Sequence, residues 1–167
     1  TAAEQGASVV LLEKNEKLGK KIYITGKGRC NLTNACETEE LLKKIVTNRR
    51  FMYSALYGFS NEDTIRFFEE SGLPVKIERG ERVFPVSDKS SDVIQVLEKR
   101  LIKAGVTIRF HSEVNRVLTE ENKVTGVELK SGERLLCDAC IVATGGLSYA
   151  STGSTGDGYT FAKLCGH

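Results

Sequence analysis

The sequence predicts an α/β fold of the Rossmann-like, dinucleotide-binding class with an inserted antiparallel β-meander. Three observations predict it. A short apolar strand over 8–12 ends at an acid, Glu13, and a loop rich in glycine, cations and small polar residues occupies 25–34. A second apolar run, 139–143, leads into Thr144-Gly145-Gly146. Because glycines let the backbone come close to a ligand and cations attract phosphates, this pattern indicates a dinucleotide site.

The remaining elements follow from periodicity and from turn residues. Asn61 is predicted to cap a helix that ends at Gly72, and 139–143 is predicted to be a strand buried on both faces. Asp157 is predicted to cap the last helix. Other predicted helices cover 37–46, 92–104 and 159–164, and predicted strands cover 75–86 (two, around a turn at 79–81), 106–110, 113–119, 123–130 and 133–136.

Composition limits the function. The 167 residues suit one domain, and 24 basic against 22 acidic residues give a net charge of +2, which argues against a nucleic-acid partner. No apolar run approaches the roughly 18 residues that cross a bilayer, so no membrane partner is predicted. Five scattered cysteines favour a reducing cytoplasm over a disulfide framework.

The two ends of the chain resemble the interior of a fold. The chain opens on Thr1 in what resembles the last turn of a helix, and it stops at His167 directly after a helix-like stretch. We therefore expect an internal fragment of a longer protein. The phosphate-binding glycines of a nucleotide-binding βαβ unit lie about 20 residues before the ribose acid, which for Glu13 falls before Thr1.

Each motif also has a simpler interpretation. Glu13 is placed to accept hydrogen bonds from ribose hydroxyls, but a solvated strand end is the alternative. Cys30 within the 25–34 loop is more consistent with packing than with nucleophilic catalysis. The segment 152–158 resembles a phosphate loop but lacks its Gly-Lys-Ser/Thr ending, which excludes a triphosphatase. Cys137 and Cys140 are interpreted as structural, and the two histidines form no metal site.

Taken in order, these motifs resemble one family. They are Leu12-Glu13-Lys14, Gly19-Lys20-Lys21, the run from Gly26 to Asn34, the quartet 143–146 and the segment 152–158. The resemblance is to the bacterial HI-0933-like (YhiN-like) flavoproteins, also called the aminoacetone oxidase family or BaiN-type enzymes. It implies an incomplete FAD-binding domain over 1–167, of the two-dinucleotide-binding-domain flavoprotein fold, without its first strand and its C-terminal part.

The resemblance also implies a cofactor site. Glu13 and Lys14 would bind the adenosine ribose, Val114 would contact adenine through its backbone, and Thr144 would lie against FAD with its neighbours. The full set of predicted cofactor-binding residues is Glu13, Lys14, Lys21, Thr25, Gly26, Lys27, Gly28, Arg29, Cys30, Asn31, Val114, Ala143, Thr144, Gly145 and Gly146.

The function implied is an FAD-dependent oxidoreductase that transfers hydride to a small-molecule substrate. NAD(P)H is the candidate electron donor, and an ene-reductase of the BaiN type is the first candidate activity, although the fragment alone is expected to be inactive. A flavin-dependent amine oxidase is the alternative within the same class. A non-catalytic flavin-binding or regulatory module, acting for instance with RNA, and a plain α/β domain without cofactor are the alternatives outside it.

Overall fold

The computed structural model describes all 167 residues, which form two compact units. Unit 1 comprises residues 1–21 and 102–167, and unit 2 comprises residues 22–101. The strands are β1 (Val10–Leu12), β2 (Thr33–Asn34), β3 (Val75–Glu78), β4 (Arg82–Pro85), β5 (Thr107–Arg109), β6 (Val114–Glu120), β7 (Lys123–Leu129) and β8 (Arg134–Leu136). The helices are α1 (Lys20–Ile24), α2 (Thr38–Lys43), α3 (Tyr53–Gly58), α4 (Asn61–Glu70), α5 (Ser90–Lys103) and α6 (Asp157–Leu164).

Unit 1 contains a parallel pair and an antiparallel meander. β1 pairs with β5 in parallel, with Leu11 opposite Ile108. The sheet β6-β7-β8 is antiparallel, as predicted, and Val127 and Leu129 of β7 are buried in it. The mixture of a parallel pair with antiparallel sheets confirms the α/β class and the inserted meander.

The predicted buried strand at 139–143 is wrong. These residues form no strand, and Ile141 is 82 % exposed. A strand needs a neighbour for its backbone groups, and no strand of the chain pairs with this segment: the parallel sheet consists of β1 and β5 alone. Apolar composition alone therefore did not decide the secondary structure here.

Unit 2 combines the sheet β2-β4-β3 with helices. β3 and β4 form the predicted hairpin, in which Ile77 lies opposite Val83, and β2 adds to the other edge of β4. The core consists of buried residues from the loop before β2, from α4 and its end, and from α5: Cys30, Phe68, Leu73 and Val93. α4 and α5 are held by this apolar cluster rather than by propensity alone.

Two predicted helix caps are corrected. Ser60, not Asn61, caps α4, because the Ser60 hydroxyl accepts from the Asp63 N–H while the Asp63 carboxylate accepts from the Ser60 N–H. Asn61 is buried and donates instead to the carbonyls of Asn34 and Cys36. Likewise Asp157 is the first residue of α6, and Gly156 is its N-cap.

No helix has both the length and the apolar content to cross a membrane.

Candidate flavin-binding site

Glu13 lies at the carboxyl end of β1, where parallel sheets bind nucleotides. Its N–H donates to the Arg109 carbonyl (2.9 Å), so the backbone is fixed by pairing with β5. Its carboxylate oxygen Oε1 accepts from the Asn15 N–H (2.8 Å) and from Asn15 Nδ2 (2.6 Å). The other oxygen, Oε2, has no protein donor, so one acceptor of an oriented carboxylate is open to the hydroxyls of a ribose.

Lys14 is tied to the start of α6. Its ammonium donates to Thr155 Oγ1 (2.8 Å) and forms an ion pair with Asp157 Oδ2 (2.7 Å). The hydrogen bond from Lys14 lowers the pKa of the Asp157 carboxyl, and burial opposes that effect. Lys14 therefore fixes the segment before α6 next to Glu13, and it shares its charge with a carboxylate.

Lys21 fastens the loop that follows the predicted glycine quartet. Its ammonium donates to Ser148 O and Oγ (both 2.9 Å) and to Ser154 Oγ (3.3 Å), and it lies 6.0 Å from the Tyr149 ring centre. Three neutral acceptors use all three ammonium protons but cancel none of the charge. Lys21 thus gives unit 1 a positive charge that no carboxylate neutralises, and that charge attracts phosphate through its field.

Thr144 supplies the observation that tests whether a cofactor fits. Its hydroxyl oxygen Oγ1 is buried and has no hydrogen-bond partner. A Cβ at Gly158 would lie 2.9 Å from that oxygen, and a Cβ at Gly145 would lie 3.1 Å from Ser154 Oγ. An unpaired buried hydroxyl costs about 1–3 kcal/mol. Glycine at 158 lets the backbone lie close to the Thr144 hydroxyl, and glycine at 145 does the same beside Ser154. The donor set of unit 1 therefore fits a bound polar group such as that of FAD.

Val114 and the ends of the quartet complete the predicted residues of unit 1. Val114 is the first residue of β6, half-buried, and pairs with Leu129 of β7. Ala143 is exposed, whereas Gly146 is half-buried and its carbonyl accepts from the Gly156 N–H (3.2 Å). The quartet is therefore an irregular segment joined by its backbone to the residues before α6.

In unit 2, the loop that begins at Thr25 is a run of left-handed backbone. Gly26, Lys27, Gly28 and Cys30 have φ values of 56°, 57°, 86° and 59°. The turn is closed by N–H groups of Arg29 and Cys30, which donate to the carbonyls of Gly26 and Thr25. A Cβ at Gly26 would lie 3.1 Å from the backbone nitrogen of Asn31. This position therefore needs glycine both for its left-handed conformation and because a side chain has too little room.

Arg29 is held by carboxylates rather than left free for phosphate. Its guanidinium pairs with Glu78 of β3 and with Asp88, and it stacks 4.2 Å from the Phe84 ring centre. Hydrogen bonding to Arg29 lowers the pKa of Glu78, and hydrogen bonds from Lys76 and then Arg29 lower that of Asp88. Arg29 therefore positions the loop, while the exposed Lys27 pairs with no carboxylate.

Cys30 faces the interior of unit 2, whereas Asn31 is exposed and bonds to the strands beside it. Cys30 is buried in the core, and burial raises the pKa of its thiol, which favours the unreactive protonated form. The Asn31 amide, with its nitrogen toward the Val83 and Thr33 carbonyls, donates to both. Packing, not nucleophilic catalysis, is the role that the structure gives to Cys30.

The predicted residues are thus divided between the units, and sequence reasoning missed several of their partners. Glu13, Lys14, Lys21, Val114 and the quartet belong to unit 1, and the run from Thr25 to Asn31 belongs to unit 2. The missed partners are Asn15, Ser154, Lys76, Glu78 and Asp88. Lys76 and Glu78 left a signal, since charges two apart lie on one face of a strand. Ser154 left another, because it lies in the segment 152–158 that the sequence analysis singled out.

Comparison with known proteins decides the family. A model of the HI0933-like protein Rossmann domain matches residues 1–167. The chain belongs to the HI0933-like family. The match confirms the predicted resemblance and identifies the chain as a flavoprotein sequence with an FAD-binding Rossmann-like fold.

Curated relatives are longer than the chain. The chain is 36 % identical over 162 residues to the 3-dehydro-bile acid delta(4,6)-reductase of Clostridium scindens. This alignment covers 96 % of the chain and 38 % of the relative. The chain is 32 % identical over 167 residues to the ribosomal RNA dihydrouridine synthase of Escherichia coli, covering 99 % of the chain and 40 % of the relative. The chain spans about two fifths of the length of these relatives.

A solved structure supports the fold. THI4 of Thermovibrio ammonificans aligns with a TM-score of 0.57 at 15 % identity, over 90 % of this chain and 53 % of THI4. At that identity the likeness concerns the fold alone, and it agrees with the Rossmann-like class.

Proposed function

We propose that the chain is the FAD-binding part of an oxidoreductase that reduces a carbon–carbon double bond conjugated to a carbonyl, with NAD(P)H as donor. The names of the relatives support this bond class. A delta(4,6)-reductase of a 3-dehydro-bile acid acts on double bonds conjugated to the 3-oxo group. Dihydrouridine is uridine whose ring double bond, also conjugated to a carbonyl, has been saturated.

The observation that carries the cofactor assignment is the unpaired, buried Thr144 hydroxyl. A folded chain rarely leaves such a group without a partner, so the hydroxyl indicates a polar ligand at the quartet. The open oxygen Oε2 of Glu13 and the unneutralised charge of Lys21 are the acceptor and the cation that an adenosine diphosphate group needs.

The residues of the chain bind and orient rather than react. Glu13 would accept from the ribose hydroxyls, Thr144 would donate to a polar atom of the cofactor, and Lys21 would balance phosphate charge. FAD, when bound, supplies hydride transfer through its isoalloxazine ring. In the overall reaction a hydride from NAD(P)H adds to the carbon β to the carbonyl, a proton adds to the α carbon, and NAD(P)⁺ is released.

A small molecule is the first candidate substrate, and a uracil base in RNA is the second. The reductase relative favours the former, and the dihydrouridine synthase relative favours the latter. An amine oxidase and a non-catalytic flavin-binding module remain the alternatives in activity.

The test is anaerobic titration of the intact, FAD-containing protein, followed through the visible flavin absorption. We expect NADH or NADPH to bleach the flavin, and a conjugated 3-oxo steroid or an oligouridylate to restore it. Bleaching by an amine without NAD(P)H would assign the oxidase instead. A flavin that neither nicotinamide nor amine reduces would leave only a binding module.

A further inference from the structure

Positive charge is concentrated in one short segment of unit 2. Residues 41–61 contain Lys43, Lys44, Arg49 and Arg50 and no aspartate or glutamate, although the whole chain has a net charge of only +2. Lys43 forms an ion pair with Glu40. Lys44, Arg49 and Arg50 are exposed and pair with no carboxylate, so their charge is available to a polyanion.

Exposed aromatic rings interleave with these cations. Phe51 is 84 % exposed, and Tyr53 and Tyr57 are exposed as well. The rings of Tyr53 and Tyr57 stack with centres 5.9 Å apart and planes 19° from parallel. The Tyr57 hydroxyl donates a hydrogen bond to Glu39 Oε1 (2.8 Å), and this bond orients the stacked pair of rings. A group of exposed rings flanked by polar residues is typical of an interaction site.

The cations and the rings share one local structure. Asn48 adopts a left-handed conformation (φ 54°) and leads into the turn Arg49–Met52, which runs directly into α3. α2, this turn and α3 pack against one another. The six residues Lys44, Arg49, Arg50, Phe51, Tyr53 and Tyr57, here called the basic-aromatic surface, are therefore presented by a single folded region.

We propose that the basic-aromatic surface binds single-stranded RNA. The phosphates would pair with Lys44, Arg49 and Arg50, and unstacked bases would stack on the exposed aromatic rings. Proteins bind single-stranded nucleic acids through this combination of contacts. A duplex hides its base faces, so it does not use the rings. A membrane is disfavoured because α3, with six residues, is too short for an interfacial amphipathic helix. The E. coli relative, named for an RNA reaction, supports the same partner.

This inference rests on the second candidate substrate of the proposed function, a uracil base in RNA, and names the surface that would bind it. RNA binding is measured without turnover, so its failure leaves the proposed reduction of a conjugated double bond untouched. It also revises the expectation of no nucleic-acid partner. That expectation used the net charge of the chain, which conceals how unevenly the charges are distributed.

The first experiment is fluorescence anisotropy of the intact, FAD-containing protein with a labelled oligouridylate of about 16 nucleotides. We expect R49Q/R50Q to weaken binding about tenfold near 0.1 M salt. The slope of log affinity against log salt should fall by about 1.4, since each phosphate contact on a single strand contributes about 0.7. The matched control K99Q/K103Q removes two exposed cations from α5 and should change affinity less than about twofold.

A second pair of variants tests the rings. Phe51→Leu keeps an apolar side chain but loses the ring, and it should weaken RNA binding about fivefold or more, whereas Phe51→Tyr should keep it. Equal RNA affinity of wild type and R49Q/R50Q overturns the proposal. RNA affinity that is unchanged while both R49Q/R50Q and Phe51→Leu lower the melting temperature assigns the surface to packing within the intact protein. Binding to anionic vesicles without binding to RNA assigns it to a membrane.

Discussion

The hydroxyl of Thr144 affects stability and cofactor binding in opposite directions. Its buried hydroxyl has no partner within the chain, which costs free energy in the ligand-free fold. A group of this kind persists where a ligand satisfies it. The sequence pointed to Thr144 through the glycines beside it, because such quartets follow strands at cofactor sites.

Replacing Thr144 by valine should separate the two effects. Valine has nearly the same shape and no hydroxyl, so we expect the cofactor-free protein to gain about 1 kcal/mol of unfolding free energy. FAD affinity should fall about three- to tenfold, the loss of one hydrogen bond. Urea denaturation of the apoprotein and FAD titration measure these quantities. Thr144→Ser is the control that retains the hydroxyl, and a valine variant with unchanged FAD affinity would contradict the assignment.

Glu128 of β7 makes the stability of unit 1 depend on pH. Hydrogen bonds from Arg116 and then Arg134 lower the pKa of its carboxyl from 4.5 to about 2. Because the folded pKa lies below the unfolded one, the stabilisation is complete above about pH 4.5 and is lost as the pH falls toward about 2.

The prediction compares wild type with Glu128→Gln. The difference in their urea midpoints should be greatest above about pH 5 and should become small near pH 2, where half of the wild-type carboxyl groups are protonated in the folded state. Urea denaturation at a series of pH values measures it. A difference that stays constant from pH 6 to pH 2 would show that the Glu128 charge has no role.

At the scale of elements, turn and cap residues predicted most boundaries of helices and strands. Contacts between residues distant in the chain determined the boundaries and partners that the sequence did not predict. Turn glycines correctly separated β3 from β4 and ended α5. Ser60 and Asn61 are both good caps by type, and the choice between them depends on Asn34 and Cys36, more than twenty residues away. The acids that hold Arg29 lie 49 and 59 residues from it, beyond any local pattern.

Gly126 in the middle of β7 provides a test of the meander. A Cβ there would overlap the Leu135 carbonyl oxygen of the adjacent strand and lie 3.2 Å from its carbon. Because backbone paired in a sheet moves little, Gly126→Ala should cost about 2 kcal/mol of unfolding free energy. Gly58→Ala is the matched control, since that glycine ends α3 in open space and should change stability by less than about 0.5 kcal/mol. Equal midpoints for the two variants would contradict the register of β7 and β8.

At the scale of the whole molecule, the motifs predicted the family and the fold class, and physical contacts assigned the roles. The family model confirms the resemblance over 1–167. Glu13 lies where the sequence placed it because strand ends are local features. Lys21 and Arg29 instead fasten loops through partners distant in the chain, so their residue types alone did not determine what they bind.

The measurement that most directly tests the central claim is the visible absorption spectrum of the intact protein, purified without added cofactor. We predict a flavin band that stays with the protein on gel filtration and is weaker in the Thr144→Val variant. A colourless protein that also fails to bind added FAD would contradict the flavoprotein assignment and leave only the fold.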